Sequence, residues 1–264
     1  MSEKRYILNV KTIQSSAFRV LVEALKEILT DANFEFDANG IKVMAMDSSH
    51  TVLVHLKLLA KNFEFYKLSR EKITVGINMI NLFKLIKTMD NNDTLSLFIE
   101  EDNESVLGIK LENIEKNTRT KYSLNLMDLH EENIHCPPAE FESVITMPSV
   151  DFQKICRDMH NLADNIEIQS LGSQLVFRCN GDFASRETTI GEMTDGGMTF
   201  LKNDSPEDIV QGIFALKHLV LFSKCTNLCS NIELYLKNDY PLLLKYSVAS
   251  LGYVLFCLAP KDNN

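Results

Sequence analysis

Pairs of basic residues recur in four stretches of the chain that have the apolar periodicity of amphipathic helices. The pairs are Arg19 and Lys26, Lys84 and Lys87, Lys154 and Arg157, and Lys217 and Lys224. Because the members of each pair are three or seven residues apart, both lie on the same face of their helix. Such stripes can bind the phosphate oxygens of a nucleic acid without reading its bases. The alternative is that they are ordinary solvated helix faces, and charge alone does not exclude it.

Charge is sorted between these stretches and the rest of the chain. The 264 residues include 27 Lys and Arg against 36 Asp and Glu, which gives a net charge of −9. The four stretches hold eight basic and four acidic residues, so they carry +4 and the remaining chain carries −13. An acidic total argues against simple electrostatic adhesion to nucleic acid or anionic lipid. A basic minority concentrated on helices still permits local contacts with phosphates.

Residues that could support catalysis or bind a metal occur, but their spacing favours other roles. The acidic run Glu100–Glu104 lies between two strand-like segments, which favours a solvated hairpin turn over a metal site. Gly196 and Gly197 lack the lysine of a phosphate-binding loop, and Cys225 and Cys229 lack histidines at zinc-finger spacing. We therefore predict that the protein is not an enzyme and uses no metal or cofactor. A metal-dependent nuclease acting through the acidic run is the alternative from another class.

Many short strands and four helices are predicted to hold these residues. Segments rich in β-branched and aromatic residues, bounded by Asn, Asp or Gly, indicate antiparallel strands. Helices are predicted at Ser16–Leu29, Asn78–Met89, Ser149–Leu162 and Phe214–Thr226, with Ser15 or Ser16, Asn78 and Ser149 as N-caps. The first and third helices begin 133 residues apart, and the second and fourth begin 136 apart. This spacing favours one unit used twice, and chance similarity between two β-rich halves is the alternative.

Residues 125–142 separate the two halves and show no apolar period. Pro137 and Pro138 prevent a continuous strand ladder through this segment, and Ile134 and Phe141 would be exposed unless something covers them. We predict a connector at 125–142 between an N-terminal domain, 1–124, and a C-terminal domain, 143–264. The predicted fold class is α+β, with two similar domains that each contain antiparallel sheets and two helices.

Secretion and membrane insertion are not expected. No apolar run reaches the roughly 18–20 residues of a membrane helix, and the N-terminal MSEKRYILNV lacks the apolar stretch of a signal peptide. The six cysteines include no C-x-x-C pair and are expected to pack as small apolar residues. These features predict a protein of a reducing compartment.

Five short motifs occur in a characteristic order along the chain. They are Val22–Lys26 (VEALK), Met46–His50 (MDSSH), Leu126–Leu129 (LMDL), Ile155–Asp158 (ICRD) and Leu258–Lys261 (LAPK). Together they resemble the proliferating cell nuclear antigen family, the eukaryotic-type DNA sliding clamps. The resemblance runs from about Leu21 to Lys261, which is nearly the whole chain.

This resemblance implies a closed ring of three chains whose twelve helices line a central hole for duplex DNA. The eight basic residues named above correspond to the family's DNA-facing positions. Val20 and Asn161 stand where further basic or titratable side chains are usual. The implied function is that of a processivity factor that slides on DNA without sequence preference, tethers a DNA polymerase and recruits replication and repair proteins. It also implies opening by an ATP-dependent clamp loader, in the nucleus or in a viral replication compartment.

The resemblance implies a second activity, the docking of peptides with the pattern Q-x-x-aliphatic-x-x-aromatic-aromatic. The corresponding pocket positions are Met46, His50, Leu53, Ile134, Pro137, Phe141, Pro241, Leu258, Ala259 and Pro260. A single helical turn that inserts aliphatic and aromatic anchors into an apolar pocket is a helix-in-groove interaction. Cys257 replaces a typical aromatic residue and Asp262 a typical aliphatic one, so a shallower pocket or an altered peptide preference is expected.

Subunit contacts in the family pair one edge strand with another. This pairing corresponds approximately to Ser105–Glu112 of one chain and Phe183–Ile190 of the next, whereas a monomer would keep both as internal or solvent-blunted edges. Two other assemblies stay open as alternatives. One is a subunit of a heterotrimeric, checkpoint-type clamp, and the other is a monomeric processivity factor that holds DNA by charge.

Overall fold

The chain forms two units in a computed structural model that describes residues 5–130, 134, 139–193, 195–203 and 207–261. Unit 1 comprises Met1–Asp47, His55–Ile134 and Ser247–Val254, and unit 2 comprises Ser48–Val54, His135–Tyr246 and Leu255–Asn264. Both units combine antiparallel strands with two α-helices, in agreement with the predicted α+β class. The exact connector boundaries at 125 and 142 stay a prediction.

Within the described residues, nine strands fall in the first half of the chain. They are β1 (Tyr6–Thr12), β2 (Asp31–Asp37), β3 (Gly40–Met46), β4 (Val52–Leu59), β5 (Phe65–Leu68), β6 (Lys72–Asn78), β7 (Thr94–Glu100), β8 (Asn103–Asn113) and β9 (Thr118–Asn125). One sheet has the order β5-β1-β7-β8-β9, and a second run has the order β4-β3-β2-β6. The side chains along β2 and β4 alternate between buried and more exposed positions, as expected for strands with one core-facing side.

The part of the second half that the structure describes contains nine further strands. They are β10 (Ser143–Pro148), β11 (Asn165–Leu171), β12 (Gln174–Asn180), β13 (Ser185–Gly191), β14 (Thr199–Asn203), β15 (Val210–Ala215), β16 (Asn231–Leu236), β17 (Leu242–Val248) and β18 (Gly252–Leu258). One sheet has the order β13-β12-β11-β15, and a second run has the order β14-β10-β16-β17-β18. Each half therefore contributes one set of four and one set of five neighbouring strands, which agrees with the predicted duplication.

The four predicted helices are present and are shorter than expected. They are α1 (Ser15–Leu25), α2 (Met79–Ile86), α3 (Ser149–His160) and α4 (Leu216–Phe222), and a 3₁₀ helix at Ser223–Leu228 follows α4. The hydroxyl of Ser223 donates to the carbonyl of Val220 at 2.8 Å, and the hydroxyl of Thr226 donates to that of Ser223 at 2.6 Å. Such side-chain bonds to backbone carbonyls compete with the α-helical pattern and favour the tighter turn.

Of the predicted N-caps, Asn78 is confirmed and the serines are wrong. Asn78 Oδ1 accepts a 2.9 Å hydrogen bond from the backbone N–H of Asn81. Ser15 and Ser149 are instead the first residues of their helices, and both are buried. The Ser149 hydroxyl donates to the carbonyl of Cys229 at 2.7 Å, and that of Ser15 donates to the carbonyl of Asp90 at 3.5 Å. Each serine thus satisfies a carbonyl beyond the neighbouring helix rather than an N–H of its own helix.

The two helices of each unit pack on one another and bury their apolar stripes. In unit 1, α1 buries Phe18, Leu21 and Leu25. In unit 2, the Phe222 ring stacks on that of Phe256 with ring centroids 4.5 Å apart and an interplanar angle of 3°. Because the apolar stripes are buried in the core, the polar faces of the helices remain at the surface. Among the helices of the described residues, none is long and apolar enough to cross a membrane.

The strand predicted as the first subunit edge lies inside its sheet. β8, which contains Ser105–Glu112, pairs antiparallel with β7 on one side and with β9 on the other. It therefore has no free side, and the expectation placed on Ser105–Glu112 is wrong. Within the described residues, β9 closes one end of the five-stranded sheet and β13 closes one end of the four-stranded sheet. β13 covers all but the first two residues of the second predicted edge, Phe183–Ile190.

The acidic run Glu100–Glu104 forms the predicted hairpin turn. Glu100 of β7 lies opposite Asn103 of β8. Glu104 forms a two-point ion pair with Arg70, with Nη1 to Oε2 at 2.7 Å, and Glu100 Oε1 lies 3.2 Å from Lys121 Nζ. These hydrogen bonds with Arg70 lower the pKa of Glu104 below its ordinary value. Guanidinium and ammonium groups thus neutralise these two carboxylates.

Candidate nucleic-acid and peptide interfaces

The helices of unit 1 present cations of two kinds. Lys84 in the last turn of α2 and Lys87 at its C-terminal end are both exposed. Arg19 of α1 is half-buried, and its Nε has no hydrogen-bond partner among the described residues. Lys26, at the end of α1, forms an ion pair with Glu27, and its ammonium lies 4.9 Å from the centre of the Phe83 ring of α2. Of these four helix cations, Lys84 and Lys87 are therefore the better exposed for a ligand.

The helices of unit 2 present four exposed cations. Lys154 and Arg157 lie on α3, Lys217 on α4, and Lys224 on the 3₁₀ helix that continues it. The side-chain amide of Gln153 donates a 2.8 Å hydrogen bond to the carbonyl of Ser223, which fixes α3 against the end of α4. Long, exposed ammonium and guanidinium groups on rigid helices suit phosphate contacts, since none of them needs a base edge.

An acidic residue on α3 is engaged away from the basic pair. Asp158 follows Arg157 directly, and its Oδ2 lies 3.0 Å from Nη1 of Arg186 on β13. Because the carboxylate is bound to the edge strand, it does not compensate Arg157 by forming an ion pair with it. Glu23 of α1 and Asp151 of α3 are exposed acids that do reduce the positive charge of these helices.

A small cavity in unit 1 holds Met46 of the predicted peptide pocket. The cavity has a volume of about 260 Å³ and is also lined by Ala32, Asn33 and Leu129. The start of the connector covers this region, since the Asn33 amide lies 3.5 Å from the carbonyl of Leu129. A Cβ atom at Gly76 would meet the carbonyl oxygen of Met127 at 2.4 Å. Only glycine at this position lets the connector lie so close to β6.

A larger cavity in unit 2 holds Pro260. Its volume is about 500 Å³, and its lining includes Glu167, Gln211, Asp239 and Tyr240. Asp239 adopts the left-handed conformation with a φ of 56°. The backbone N–H of Gln211 donates to Asn238 Oδ1 at 2.8 Å, and the Asn238 amide donates back to the carbonyl of Ile209 at 3.0 Å. These bonds hold the turn after β16 against β15, beside the cavity.

The other predicted pocket residues differ in their access to a ligand. Those that are exposed or half-buried are His50, Leu53, Ile134, Phe141, Pro241 and Ala259. Phe141 packs edge-on against Tyr235 and Tyr240, with ring centroids 5.5 and 5.6 Å apart. Leu258 is fully buried and can only support its neighbours from within the core. Pro137 and Asp262 lie outside the described residues.

Two groups of polar residues were not predicted from the sequence. One lines the larger cavity, and the other consists of Lys42, His55 and Lys57 on β3 and β4. Asp239 and Tyr240 are far from Gln211 in the sequence, and only the fold brings them to the same cavity. On β4, the alternation of Val52–Leu59 did carry a signal, because it places His55 and Lys57 on the same side of the strand.

Comparison with known proteins gives matches along almost the whole chain. Residues 7–134 match the family model described as proliferating cell nuclear antigen, N-terminal domain, and residues 135–261 match the one for its C-terminal domain. The chain is 34% identical over 264 residues to the probable DNA polymerase sliding clamp 1 of Paramecium bursaria Chlorella virus 1, covering 98% of this chain and 99% of the relative. It is 33% identical over 259 residues to the proliferating cell nuclear antigen of Chaetomium thermophilum, covering 97% and 98%.

Proposed function

The chain belongs to the proliferating cell nuclear antigen family, and from this membership we propose that it is a DNA sliding clamp. In this role it encircles duplex DNA and acts as a processivity factor for a DNA polymerase. The family match over both domains carries the proposal. The exposed basic pairs on α2 and α3 support it, because they offer phosphate contacts on the same kind of element in both halves.

The proposed interaction with DNA is weak and tolerant of movement. Contacts between lysine or arginine and phosphate are alike at every base pair, so the duplex can move past them without losing affinity. Residence on DNA then depends on closure of the ring, since a closed ring cannot leave a duplex without an opening or a free end. All eight predicted cations, Arg19, Lys26, Lys84, Lys87, Lys154, Arg157, Lys217 and Lys224, are proposed to face the DNA.

We propose that three copies close the ring by pairing β9 of one chain with β13 of the next. Both strands close an end of their sheet, and a head-to-tail pairing of unlike edges produces a ring when the rotation closes. Unpaired edge strands also promote aggregation, and ring closure would remove this risk by pairing them. A homotrimer should have a solution mass near 90 kDa, three times the 30.0 kDa chain. A single species of 30.0 kDa at micromolar concentration would reject the ring.

We further propose that peptides with the Q-x-x-aliphatic-x-x-aromatic-aromatic pattern dock beside the connector. The cavities at Met46 and at Pro260, and the half-buried Phe141 and Ile134, support this role. An apolar anchor that fills such a cavity supplies most of the affinity, and surrounding polar groups fix its orientation.

The clamp is proposed to have no catalytic turnover of its own. An ATP-dependent loader would open the ring, and DNA polymerases and repair proteins would bind by peptide docking. The proposed location is the nucleus or a viral replication compartment. Incubation with duplex DNA and Mg²⁺ or Mn²⁺ tests the non-catalytic role, and cleavage that Glu101→Ala abolishes would overturn it.

A further inference from the structure

Two lysines and a histidine lie together on the solvent-facing side of unit 1, on strands rather than on helices. Lys42 of β3 and Lys57 of β4 are both exposed, and His55 of β4 is half-buried. The His55 ring lies edge-on to the Tyr253 ring of β18, with centroids 6.0 Å apart and an interplanar angle of 80°. We call Lys42, His55 and Lys57 the strand patch.

The lysines of the strand patch are not neutralised by neighbouring carboxylates. Within the described part of the chain, neither Lys42 nor Lys57 forms an ion pair. Glu35 lies opposite Lys42 in the β2–β3 register, but its Oε2 lies 2.7 Å from Nζ of Lys72. Glu35 is therefore bound elsewhere, and Asp37, the other carboxylate close to Lys42, forms no ion pair with it within the described residues.

The His55 ring lies close enough to both lysines for their charges to affect its pKa. Burial, followed by the positive charges of Lys42 and Lys57, lowers the pKa of His55 below its ordinary value of 6.5. The imidazole is therefore mostly neutral at pH 7 and can donate one hydrogen bond beside the two ammonium groups. Two exposed ammonium groups and one neutral donor suit carboxylate ligands.

His55 and Lys57 of the strand patch lie further along β4 than Leu53, which belongs to the proposed peptide pocket. Leu53, His55 and Lys57 follow one another on the same side of the strand, where every second residue advances by about 7 Å. Lys57 therefore lies about 14 Å along the strand from Leu53, a distance that about four extended peptide residues span.

We propose that the strand patch binds acidic side chains in the segment that flanks the docking core of a partner peptide. This inference rests on the proposed peptide docking and specifies the chemistry of the partners that this chain prefers. A short acidic segment fits better than a nucleic acid, because it can contact the two ammonium groups and avoid Asp37, which lies close to Lys42 and would repel an extended polyanion.

The test uses three synthetic peptides that share one Q-x-x-aliphatic-x-x-aromatic-aromatic core. The first has glutamines on both flanks, the second has glutamates at the second and fourth positions before the core, and the third has them after it. Calorimetry at low ionic strength should show roughly two- to tenfold tighter binding for one glutamate peptide, the size expected for two exposed charge contacts. Lys42→Gln/Lys57→Gln should abolish that gain and leave the glutamine peptide unchanged.

The matched control is Lys11→Gln/Lys67→Gln, which removes two exposed lysines from the five-stranded sheet and should keep the gain. The inference is overturned if neither glutamate peptide gains affinity, or if the gain survives in Lys42→Gln/Lys57→Gln. It is also overturned if that variant weakens binding of a short duplex and leaves all three peptides unaffected. Failure of the glutamine peptide to bind would instead reject the proposed docking function itself.

Discussion

Arg186 Nη1 lies 3.0 Å from Asp158 Oδ2, so an ion pair joins the edge strand β13 to helix α3. Arg186 also donates from Nε to the hydroxyl of Thr188 at 3.3 Å, which holds its guanidinium along the strand. Asp158 is the sequence neighbour of Arg157, one of the cations proposed to face DNA. The ion pair between Arg186 and Asp158 thus links β13, a proposed subunit edge, to α3, a helix proposed to line the central hole.

Removing this ion pair should weaken the ring without unfolding the chain. The two side chains are 33% and 38% exposed, so the pair contributes at most about 1 kcal/mol. Arg186→Gln is expected to shift trimer dissociation to a higher concentration, by up to roughly fivefold per interface. Sedimentation over a dilution series measures this shift.

The control for Arg186→Gln is Lys245→Gln, which removes a pair with Glu233 whose side chains are both 29% exposed. It lies on β17 and β16, away from the proposed edge, and should leave the trimer unchanged. An equal shift in both variants would show that the effect is one of general stability.

Reversing charge on α2 should separate DNA binding from peptide docking. Lys84→Glu/Lys87→Glu replaces two exposed phosphate contacts in each chain by repulsion, so loading and sliding on DNA should weaken and the dependence on salt should fall. Peptide affinity should not change. DNA retention at several salt concentrations and calorimetry with a docking peptide measure the two activities. Lys11→Glu/Lys67→Glu makes the same charge change on the five-stranded sheet and should alter neither of them.

Charged residues in the peptide pocket should have the converse effect. Ile134→Glu/Pro260→Glu places carboxylates where apolar anchors are proposed to insert, and should weaken peptide binding at least about tenfold while DNA retention persists. Leu201→Glu alters an apolar side chain on β14 that is 60% exposed, and serves as the control. Loss of both activities in both the α2 and the pocket variants would contradict the assignment of DNA and peptides to different surfaces.

The turn between β17 and β18 contains a strained residue. Ala249 has a φ of 46°, a conformation that costs an L-residue roughly 1 kcal/mol and glycine almost nothing. Ala249→Gly should therefore raise the free energy of unfolding by about 0.5 kcal/mol after the greater entropy of the unfolded glycine chain is subtracted. Urea denaturation measures it. Ala17→Gly in α1 is the control and should lower the free energy of unfolding by about 1 kcal/mol. If Ala249→Gly also lowered the free energy of unfolding, the proposed strain at Ala249 would be contradicted.

Features set by local sequence were predictable, whereas those set by distant contacts were not. The helices and the Asn78 cap follow from periodicity and from a side chain that reaches its own backbone. Ser15 and Ser149 have the same local chemistry, yet burial directs their hydroxyls to carbonyls more than 70 residues away. No local pattern distinguishes these two outcomes.

The sequence contains a signal for the proposed subunit edge, β9. Leu107 and Ile109 of β8 are buried, which is typical of a strand that is paired on both sides. β9 reads TRTKYSLN and is largely exposed, and its charged residues are typical of an edge strand. Composition thus distinguishes β9 from β8, whereas alignment by motif gave only an approximate position. Leu258 was likewise predicted as a pocket residue from a motif, yet it is fully buried. The motif does not distinguish residues that a ligand could reach from residues of the core.

Encirclement is tested most directly by loading the protein with a clamp loader onto a closed duplex circle and then linearising that circle. We expect the bound protein to stay on the circle and to leave the linear duplex by sliding off its ends. Blocking both ends should restore retention. Equal retention on the circle and on the linear duplex with free ends would contradict encirclement, and would favour a protein that holds DNA by charge alone.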